Sequence, residues 1–209
     1  MNKVIVIAGY LAAGKSTFAT KLSSAINVPY LIKDSFKTAI CENVSILNRE
    51  DSRRFSAITF DAMMYVTERL IETGNPVIIE GNFKPYGIRK VGEESVTDGE
   101  AGVIKSLINR YNCESLTYLF TGDTKILYKR FIEREKSPQR GANKLFEDIT
   151  FDEFNDYCVS LGKFDVGGNI IKIDSTDFSK IDFNEYIDKA CLFIKKIVNN
   201  GRIEWTLNV

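Results

Sequence analysis

The sequence predicts an α/β fold of three layers, in which helices cover both faces of a parallel sheet. Three observations predict this fold: the 209 residues suit one domain, short apolar β-branched segments recur, and helical patterns separate them. Ligands of such sheets bind at the carboxyl ends of the strands, where the following loops meet. The five predicted strands are residues 4–8, 28–32, 77–80, 116–120 and 170–173.

The intervals between these strands carry apolar residues at helical spacing. The longest helix is predicted over residues 52–73, with Ser52 as its N-cap and Gly74 as its end. Residues 83–102 are rich in glycine and charge, and are predicted to form a flexible insert. The alternation of residues 203–209 predicts an edge strand, or a strand that pairs with a partner in a homodimer. Further helices are predicted around residues 16–26, 104–111, 127–132 and 187–198.

The composition disfavours several classes of protein. Lysine plus arginine and aspartate plus glutamate both number 28, so the net charge of zero indicates no bulk attraction to nucleic acid. The chain contains no histidine, which excludes His-ligated zinc and histidine-activated nucleophiles. Four cysteines without a C-x-x-C pair are typical of reduced thiols, and no apolar run reaches membrane length. We therefore expect a cytoplasmic protein without a membrane segment.

Residues 9–16, the phosphate loop, read Gly-Tyr-Leu-Ala-Ala-Gly-Lys-Ser and match the pattern G-x-x-x-x-G-K-[ST]. The loop follows a predicted strand and precedes a predicted helix, whose N-terminal N–H groups favour an anion. In this motif Lys15 reaches the β- and γ-phosphates of a nucleoside triphosphate, and the Ser16 hydroxyl ligates Mg²⁺. The predicted nucleotide-binding residues of this region are Gly9, Ala12, Ala13, Gly14, Lys15, Ser16 and Thr17.

Carboxylates follow the second and third predicted strands. Asp34 is the predicted catalytic base, because a hydroxyl that attacks a γ-phosphoryl group needs an acceptor for its proton. Alternatively, Asp34 only N-caps the next helix. Glu80 is expected to hold the magnesium shell or to orient the nucleophile, and alternatively to be satisfied by a backbone N–H. Which of Asp34 and Glu80 is the base stays open.

Two arginines share one face of a predicted helix. Arg130 and Arg134 are four residues apart and are expected to stabilise the charge that develops on the phosphates. Arg140 follows in a polar, turn-rich segment. The alternative is an exposed helix on which the arginines pair with Glu133 and Glu135.

Substrate contacts are predicted where the second and third strands end and where the longest helix begins. Besides Asp34, the candidates are Lys37, Asn82 and Arg54. Lys33 and Lys37 flank Asp34. Both are expected to be exposed, because lysine side chains are most often solvated. Arg54 is equally well explained as a surface residue.

These features together resemble small P-loop kinases, and most closely the chloramphenicol-phosphotransferase, zeta-toxin and polynucleotide-kinase-like group. The resemblance covers nearly the whole chain, but only the phosphate loop is highly specific. It implies strand order 2-3-1-4-5, ATP as donor, Mg²⁺, and Asp34 as the residue that activates the acceptor. It also implies an arginine-bearing lid within residues 123–150, and adenine beside Asp174 and Thr176. Many relatives carry aspartate where this chain has Glu80.

Several functions are compatible with these features. The leading one is an ATP-dependent kinase that phosphorylates a hydroxyl of a small molecule. The others are a polynucleotide 5′-hydroxyl kinase, a regulatory module that binds ATP, and a toxin-type sugar-nucleotide kinase. The absence of the guanine-specifying N-K-x-D motif and of an L-S-G-G-Q signature disfavours a GTPase switch and a transport ATPase. The sequence does not identify the acceptor.

Overall fold

The computed structural model describes residues 2–44, 48–86, 89–91, 94–96, 99–136 and 149–195. In this part of the chain the predicted three-layer α/β fold is confirmed. The strands are β1 (Lys3–Gly9), β2 (Tyr30–Ile32), β3 (Val77–Glu80), β4 (Arg89–Val91), β5 (Glu94–Val96), β6 (Glu114–Thr121) and β7 (Asn169–Asp174). The helices are α1 (Lys15–Ile26), α2 (Lys33–Cys41), α3 (Arg49–Glu72), α4 (Gly99–Arg110), α5 (Thr124–Glu135), α6 (Phe151–Leu161) and α7 (Phe183–Lys195).

The main sheet has five parallel strands in the order β2-β3-β1-β6-β7. Counted among these five strands alone, this is the predicted order 2-3-1-4-5. All seven residues of β1 are buried, because it pairs with a strand on each side and is covered by helices on both faces. Its register places Ile7 level with Glu80 and Gly9 level with Phe120. The strand ends that carry polar residues therefore meet at one edge of the sheet.

Two apolar cores pack against the two faces of the sheet. Alternate residues of β1 point to opposite faces, so Ile5 and Ile7 join one core while Val4 and Val6 join the other. The first core is completed by apolar residues of α1, α5, α6 and α7, and the second by residues of α3 and α4. Each buried large apolar side chain contributes roughly 1.5–3 kcal/mol relative to an exposed one. The sheet is thus held rigidly behind the loops at its carboxyl edge.

Some predicted boundaries differ from the structure. Strand β2 begins at Tyr30 instead of residue 28, because Pro29 has no N–H to donate to the neighbouring strand. The Pro29 carbonyl still accepts a hydrogen bond from the Ile78 N–H. Residues 83–102, predicted as a flexible insert, include the antiparallel pair β4–β5 and the first residues of α4. The predicted strand over residues 203–209 and the polar segment 137–148 lie outside the described residues. No helix in the described ranges is long and apolar enough to cross a membrane.

The N-cap of α3 is Asn48, and the prediction of Ser52 is wrong. The Asn48 side chain accepts a hydrogen bond of 2.8 Å from the Asp51 N–H. Asn48 is followed by two acidic residues in the first turn, which also favour a helix start. Ser52 is buried one turn later. The predicted end at Gly74 agrees with the structure, where this residue has a positive φ of 77° just after the helix.

Replacing Asn48 by alanine should lower the free energy of unfolding by about 1 kcal/mol, because the Asp51 N–H loses its partner. Chemical denaturation measures the difference. Asn48→Asp, which keeps a capping oxygen, is the matched control and should stay near wild type. Equal stability of the alanine variant and wild type would contradict the assignment of this cap.

Candidate active site

A cavity of about 360 Å³, the central cavity, opens at the carboxyl edge of the sheet. It collects residues from the phosphate loop, from the ends of β2 and β3 and from α5. Every residue that lines it was predicted from the sequence as a site residue. The lining residues are Ala12, Ala13, Gly14, Lys15, Ser16, Thr17, Asp34, Glu80, Asn82, Arg130 and Arg134.

The two glycines of the phosphate loop are required by close packing. Gly9 has φ 115°, and a Cβ there would lie 2.0 Å from the carbonyl oxygen of Phe120 in the neighbouring strand. Gly14 has φ 85°, and its Cβ would lie 2.0 Å from a ring carbon of Phe178. Both the backbone angle and the space therefore exclude other residues. Gly9 shapes the loop from behind and does not itself line the central cavity.

Lys15 lies inside the loop, with only 6% of its surface exposed. Its ammonium donates hydrogen bonds to the carbonyl oxygens of Gly9, at 3.2 Å, and Tyr10, at 2.5 Å. Burial lowers the pKa of Lys15, and the nearby carboxylates of Glu80 and Asp34 oppose that shift. The loop thus holds a desolvated cation at the floor of the central cavity, where an anionic ligand would interact with it strongly.

Ser16 and Glu80 form the polar centre of the cavity. The Ser16 hydroxyl donates a hydrogen bond of 2.9 Å to Glu80 Oε2. Glu80 is 4% exposed, and burial raises its pKa to about 7, although Lys15 opposes the shift. The partner of the Glu80 carboxylate in the structure is therefore the Ser16 hydroxyl and not the backbone N–H that the alternative interpretation expected. A hydroxyl and a carboxylate oxygen side by side are hard ligands of the kind that Mg²⁺ accepts alongside phosphate oxygens, so these residues fit that ion.

Asp34 is the second residue of α2, and the capping alternative is wrong. The N-cap is Ile32, which forms no side-chain capping bond. The Asp34 side chain is exposed and lines the central cavity. Beside it, Asn82 Oδ1 is buried and has no hydrogen-bond partner within the described part of the chain. The exposed carboxylate of Asp34 and the side chain of Asn82 therefore line the same cavity, and the carboxylate suits a ligand that donates hydrogen bonds.

Both predicted arginines reach the central cavity from α5. Arg130 donates to the carbonyl oxygens of Ser175, at 2.6 Å, and Thr176, at 2.5 Å, so the loop after β7 holds its guanidinium in place. The Arg134 guanidinium lies 3.5 Å from the Glu135 carboxylate, so it forms one of the ion pairs that the alternative interpretation expected. Arg134 nevertheless lines the central cavity. The structure thus gives one arginine a fixed position in the wall and the other an ion pair at its rim.

Asp174 and Thr176 do not line the central cavity. Asp174 Oδ1 accepts hydrogen bonds from the N–H and hydroxyl of Thr176, and these bonds lower the pKa of Asp174. The Thr176 hydroxyl also accepts from the Asp123 N–H at 2.8 Å. Their side chains therefore shape the loop that holds Arg130, and a direct contact with a nucleotide stays a prediction.

The predicted exposure of Lys33 and Lys37 is wrong. Lys33 is buried in an ion pair with Glu100. Lys37 is buried too and donates 2.7 Å to the Ser52 hydroxyl. Neither lysine nor the exposed Arg54 belongs to the lining of the central cavity. Arg140 lies outside the described residues.

Sequence reasoning missed two residues that contact the site or its immediate neighbours. Phe178 packs its ring against Gly14, and Glu100 pairs with the lysine beside Asp34. Neither residue belongs to a motif, and both lie far along the chain from the residues they contact. Only the folded topology brings them to the site.

A larger groove of about 610 Å³ lies along α2, and none of the described residues that line it is charged. It is lined by Ser35, Phe36, Ala39, Ile40, Asn43 and Val44 and is mostly apolar. Phe36 and Ile40 lie two and six positions after Asp34, which places them about 200° and 240° around the helix from it. The groove therefore faces away from the Asp34 carboxylate.

Solved structures show the same fold at low sequence identity. A protein from Chloroflexus aurantiacus J-10-fl described as a "putative kinase" matches with a TM-score of 0.77 and 20% identity, over 90% of this chain and 96% of its own. Shikimate kinase from Bacteroides thetaiotaomicron matches with a TM-score of 0.52 and 14% identity, over 92% and 98%. A sugar kinase from Janibacter sp. HTCC2649 matches with a TM-score of 0.51 and 12% identity, over 93% and 94%. These matches show the fold. No family model and no curated protein matches the chain.

Gly14→Ala should weaken the predicted binding of a nucleoside triphosphate roughly 10- to 100-fold, because the new Cβ displaces Phe178 and strains the loop. Titration calorimetry measures the affinity. Gly74→Ala is the matched control, since Gly74 also has a positive φ, of 77°, but has nothing within 4 Å of a Cβ. The control should lose some stability and keep its affinity. Undiminished binding by the Gly14 variant would show that the loop tolerates a side chain there.

Glu80→Gln should stabilise the unliganded protein more at pH 8 than at pH 5. The folded pKa of about 7 lies above the ordinary 4.5, so the folded state bears the full cost of a buried charge above pH 7. That cost fades as the pH falls and is absent below about 4.5, where both states are protonated. The expected gain at pH 8 is roughly 2–3 kcal/mol.

Thermal and denaturant unfolding at the two pH values measures this gain. Asp188→Asn, which removes an exposed carboxylate on α7, is the control and should show no comparable difference. A Glu80→Gln variant that is less stable than wild type at pH 8 would contradict the raised pKa.

Proposed function

We propose that the protein is an ATP- and Mg²⁺-dependent kinase that transfers the γ-phosphoryl group to a hydroxyl of a small molecule. One observation carries the proposal: the central cavity joins a phosphate loop, a Ser16–Glu80 pair and the exposed carboxylate of Asp34. The first two features suit a nucleoside triphosphate, and the third faces the same space. The fold neighbours that are named as kinases support the proposal.

The donor phosphates would lie in the phosphate loop. The backbone N–H groups of the loop and the start of α1 point a positive dipole at them. Lys15 would exchange its bonds with the loop carbonyls for bonds with phosphate oxygens. Arg134 at the rim would offset the charge that develops during transfer. A bound Mg²⁺ would neutralise part of the phosphate charge, and Ser16 and Glu80 are the residues that would hold it.

The acceptor would lie against Asp34 and Asn82. Its hydroxyl oxygen attacks the γ-phosphorus, the bond from that phosphorus to the β–γ bridging oxygen breaks, and ADP leaves. Asp34 accepts the hydroxyl proton, and the exposed part of Asn82, which lines the same cavity, contacts the acceptor. Asp34 is the better base because it is exposed, whereas Glu80 is buried and already accepts from Ser16.

The kinase group, the cellular compartment and the acceptor class are inferred mainly from the sequence. The order of the phosphate loop, Asp34 and the arginine pair along the chain favours the chloramphenicol-phosphotransferase, zeta-toxin and polynucleotide-kinase-like group. The four cysteines are free thiols, which suits a reducing cytoplasm. An alcohol acceptor without a high negative charge suits the carboxylate of Asp34 in the same cavity.

Asp34→Asn tests the proposal directly. The variant keeps the shape of the side chain but removes the proton acceptor, so kcat for phosphorylation of the acceptor should fall roughly 10²- to 10⁴-fold. The Kd for ATP should stay near wild type, since the phosphate loop is intact. Rapid-quench measurements of phosphoryl transfer and calorimetry give the two quantities.

Lys15→Met is the companion variant and should lose both ATP affinity and transfer, because the cation at the floor of the cavity is gone. A regulatory ATP-binding module would be indifferent to Asp34→Asn. Transfer by the Asp34→Asn enzyme at the wild-type rate would therefore reject Asp34 as the base.

A further inference from the structure

The position of Asp34 depends on the first turn of α2, and local structure holds this turn weakly. The preceding strand β2 has only three residues, and the N-cap Ile32 forms no side-chain bond. The Asp34 side chain is itself exposed. Contacts from other elements must therefore fix the direction in which its carboxylate points.

The main such contact is made by the residue before it. Lys33 forms an ion pair and hydrogen bond with Glu100, the second residue of α4, and the side chains are 9% and 11% exposed. The Lys33 ammonium also lies 5.5 Å from the centre of the Phe60 ring on α3. A buried pair of this kind contributes little net stability, because desolvation offsets the attraction, but either partner alone is costly. The pair therefore restricts how α2 can sit against α3 and α4.

Glu100 also holds the segment that follows β3. Its second carboxylate oxygen accepts a hydrogen bond of 3.1 Å from the Lys84 N–H. In return the Lys84 carbonyl accepts hydrogen bonds of 3.0 Å from the N–H groups of Glu100 and Ala101 at the start of α4. This segment carries Asn82, so one carboxylate bonds to the side chain of Lys33, next to Asp34, and to the backbone two residues after Asn82. Asp34 and Asn82 together are called the acceptor wall.

Two further observations place these segments close together. A Cβ on Gly81 would lie 3.1 Å from the Lys33 Cβ, so the end of β3 packs directly on the first turn of α2. Burial, and after it the carboxylates of Glu100 and Asp34, raise the pKa of Tyr157 on α6. Both carboxylates therefore lie within electrostatic reach of one phenol ring.

We propose that Glu100 is a positioning residue of the acceptor site, which sets Asp34 through Lys33 and Asn82 through Lys84. Glu100 does not line the central cavity and would not contact the acceptor. The inference rests on the proposed function for its kinetic consequence. Its structural content, the placement of the two wall residues, is independent of what the acceptor is.

The test compares two single variants with the double variant Lys33→Met/Glu100→Gln. Each single variant leaves a buried group without its partner and should lower the Tm, whereas the double variant should recover most of this loss. If Glu100 positions the wall, the double variant still loses about 10- to 100-fold in kcat for the acceptor, because the carboxylate of Asp34 is displaced. Its Kd for ATP stays at the wild-type value. A double variant that regains both stability and kcat would overturn the inference.

The matched control is Lys3→Met/Glu114→Gln. Among the ion pairs of the described residues, these two form the other pair with a buried lysine, at 3.4 Å, and the side chains of Lys3 and Glu114 are 0% and 40% exposed. They lie at the amino ends of β1 and β6, away from the central cavity. The control should change the Tm without changing kcat. An equal loss of kcat in the control would reduce the Lys33–Glu100 effect to general destabilisation and overturn the inference.

Crystal structures of wild type and the double variant separate this inference from the proposed function. A shift of the Asp34 carboxylate and of the Asn82 side chain relative to Ser16 supports positioning by Glu100, even if the wild-type enzyme phosphorylates none of the acceptors tested. Unmoved wall residues in the double variant overturn the inference, whatever the activity of the wild type.

Discussion

The central strand β1 is the constraint on which the rest of the structure depends. It is buried along its whole length and pairs with a strand on each side. The position at which the phosphate loop begins, directly after this strand, is therefore fixed. The parallel register with β3 then brings Glu80 beside Ser16, and the pairing with β6 leaves no room for a Cβ at Gly9. The site follows from this packing, because β3 and β6 pair directly with β1, and β2 is placed through β3.

The charges at the site are divided between buried and exposed positions. Lys15 and Glu80 are desolvated next to one another, and burial shifts the pKa of each toward its neutral form. Such groups interact strongly with a charged ligand that enters the same dry space. Asp34 is exposed, although the residue before it, Lys33, is held in a buried ion pair. One cavity therefore combines a buried pair of opposite charges at the phosphate loop with an exposed carboxylate.

Much of the fold and of the site could be predicted from the sequence, because both rest on local patterns. The β-branched run before the phosphate loop identifies the central strand, and the order of strands and helices limits the topology. The burial of Lys33 and its ion pair with Glu100 could not be predicted, since 67 residues separate the partners and only packing brings them together. The true cap of α3 was missed because Ser52 and Asn48 are both good capping residues, and only the geometry distinguishes them. Asp174 and Thr176 bond to one another in the structure, and their contact with a nucleotide stays a prediction.

The central claim is that the cavity transfers phosphate from ATP to a hydroxyl. The most direct measurement follows ATP, ADP and new phosphomonoesters by ³¹P NMR, with the purified protein, Mg²⁺, and pools of sugars, nucleosides, antibiotics, sugar nucleotides and 5′-hydroxyl oligonucleotides. The account predicts that ADP forms together with a phosphomonoester in at least one pool of small molecules, and only while that acceptor is present. ATP binding without acceptor-dependent turnover in any pool would contradict it.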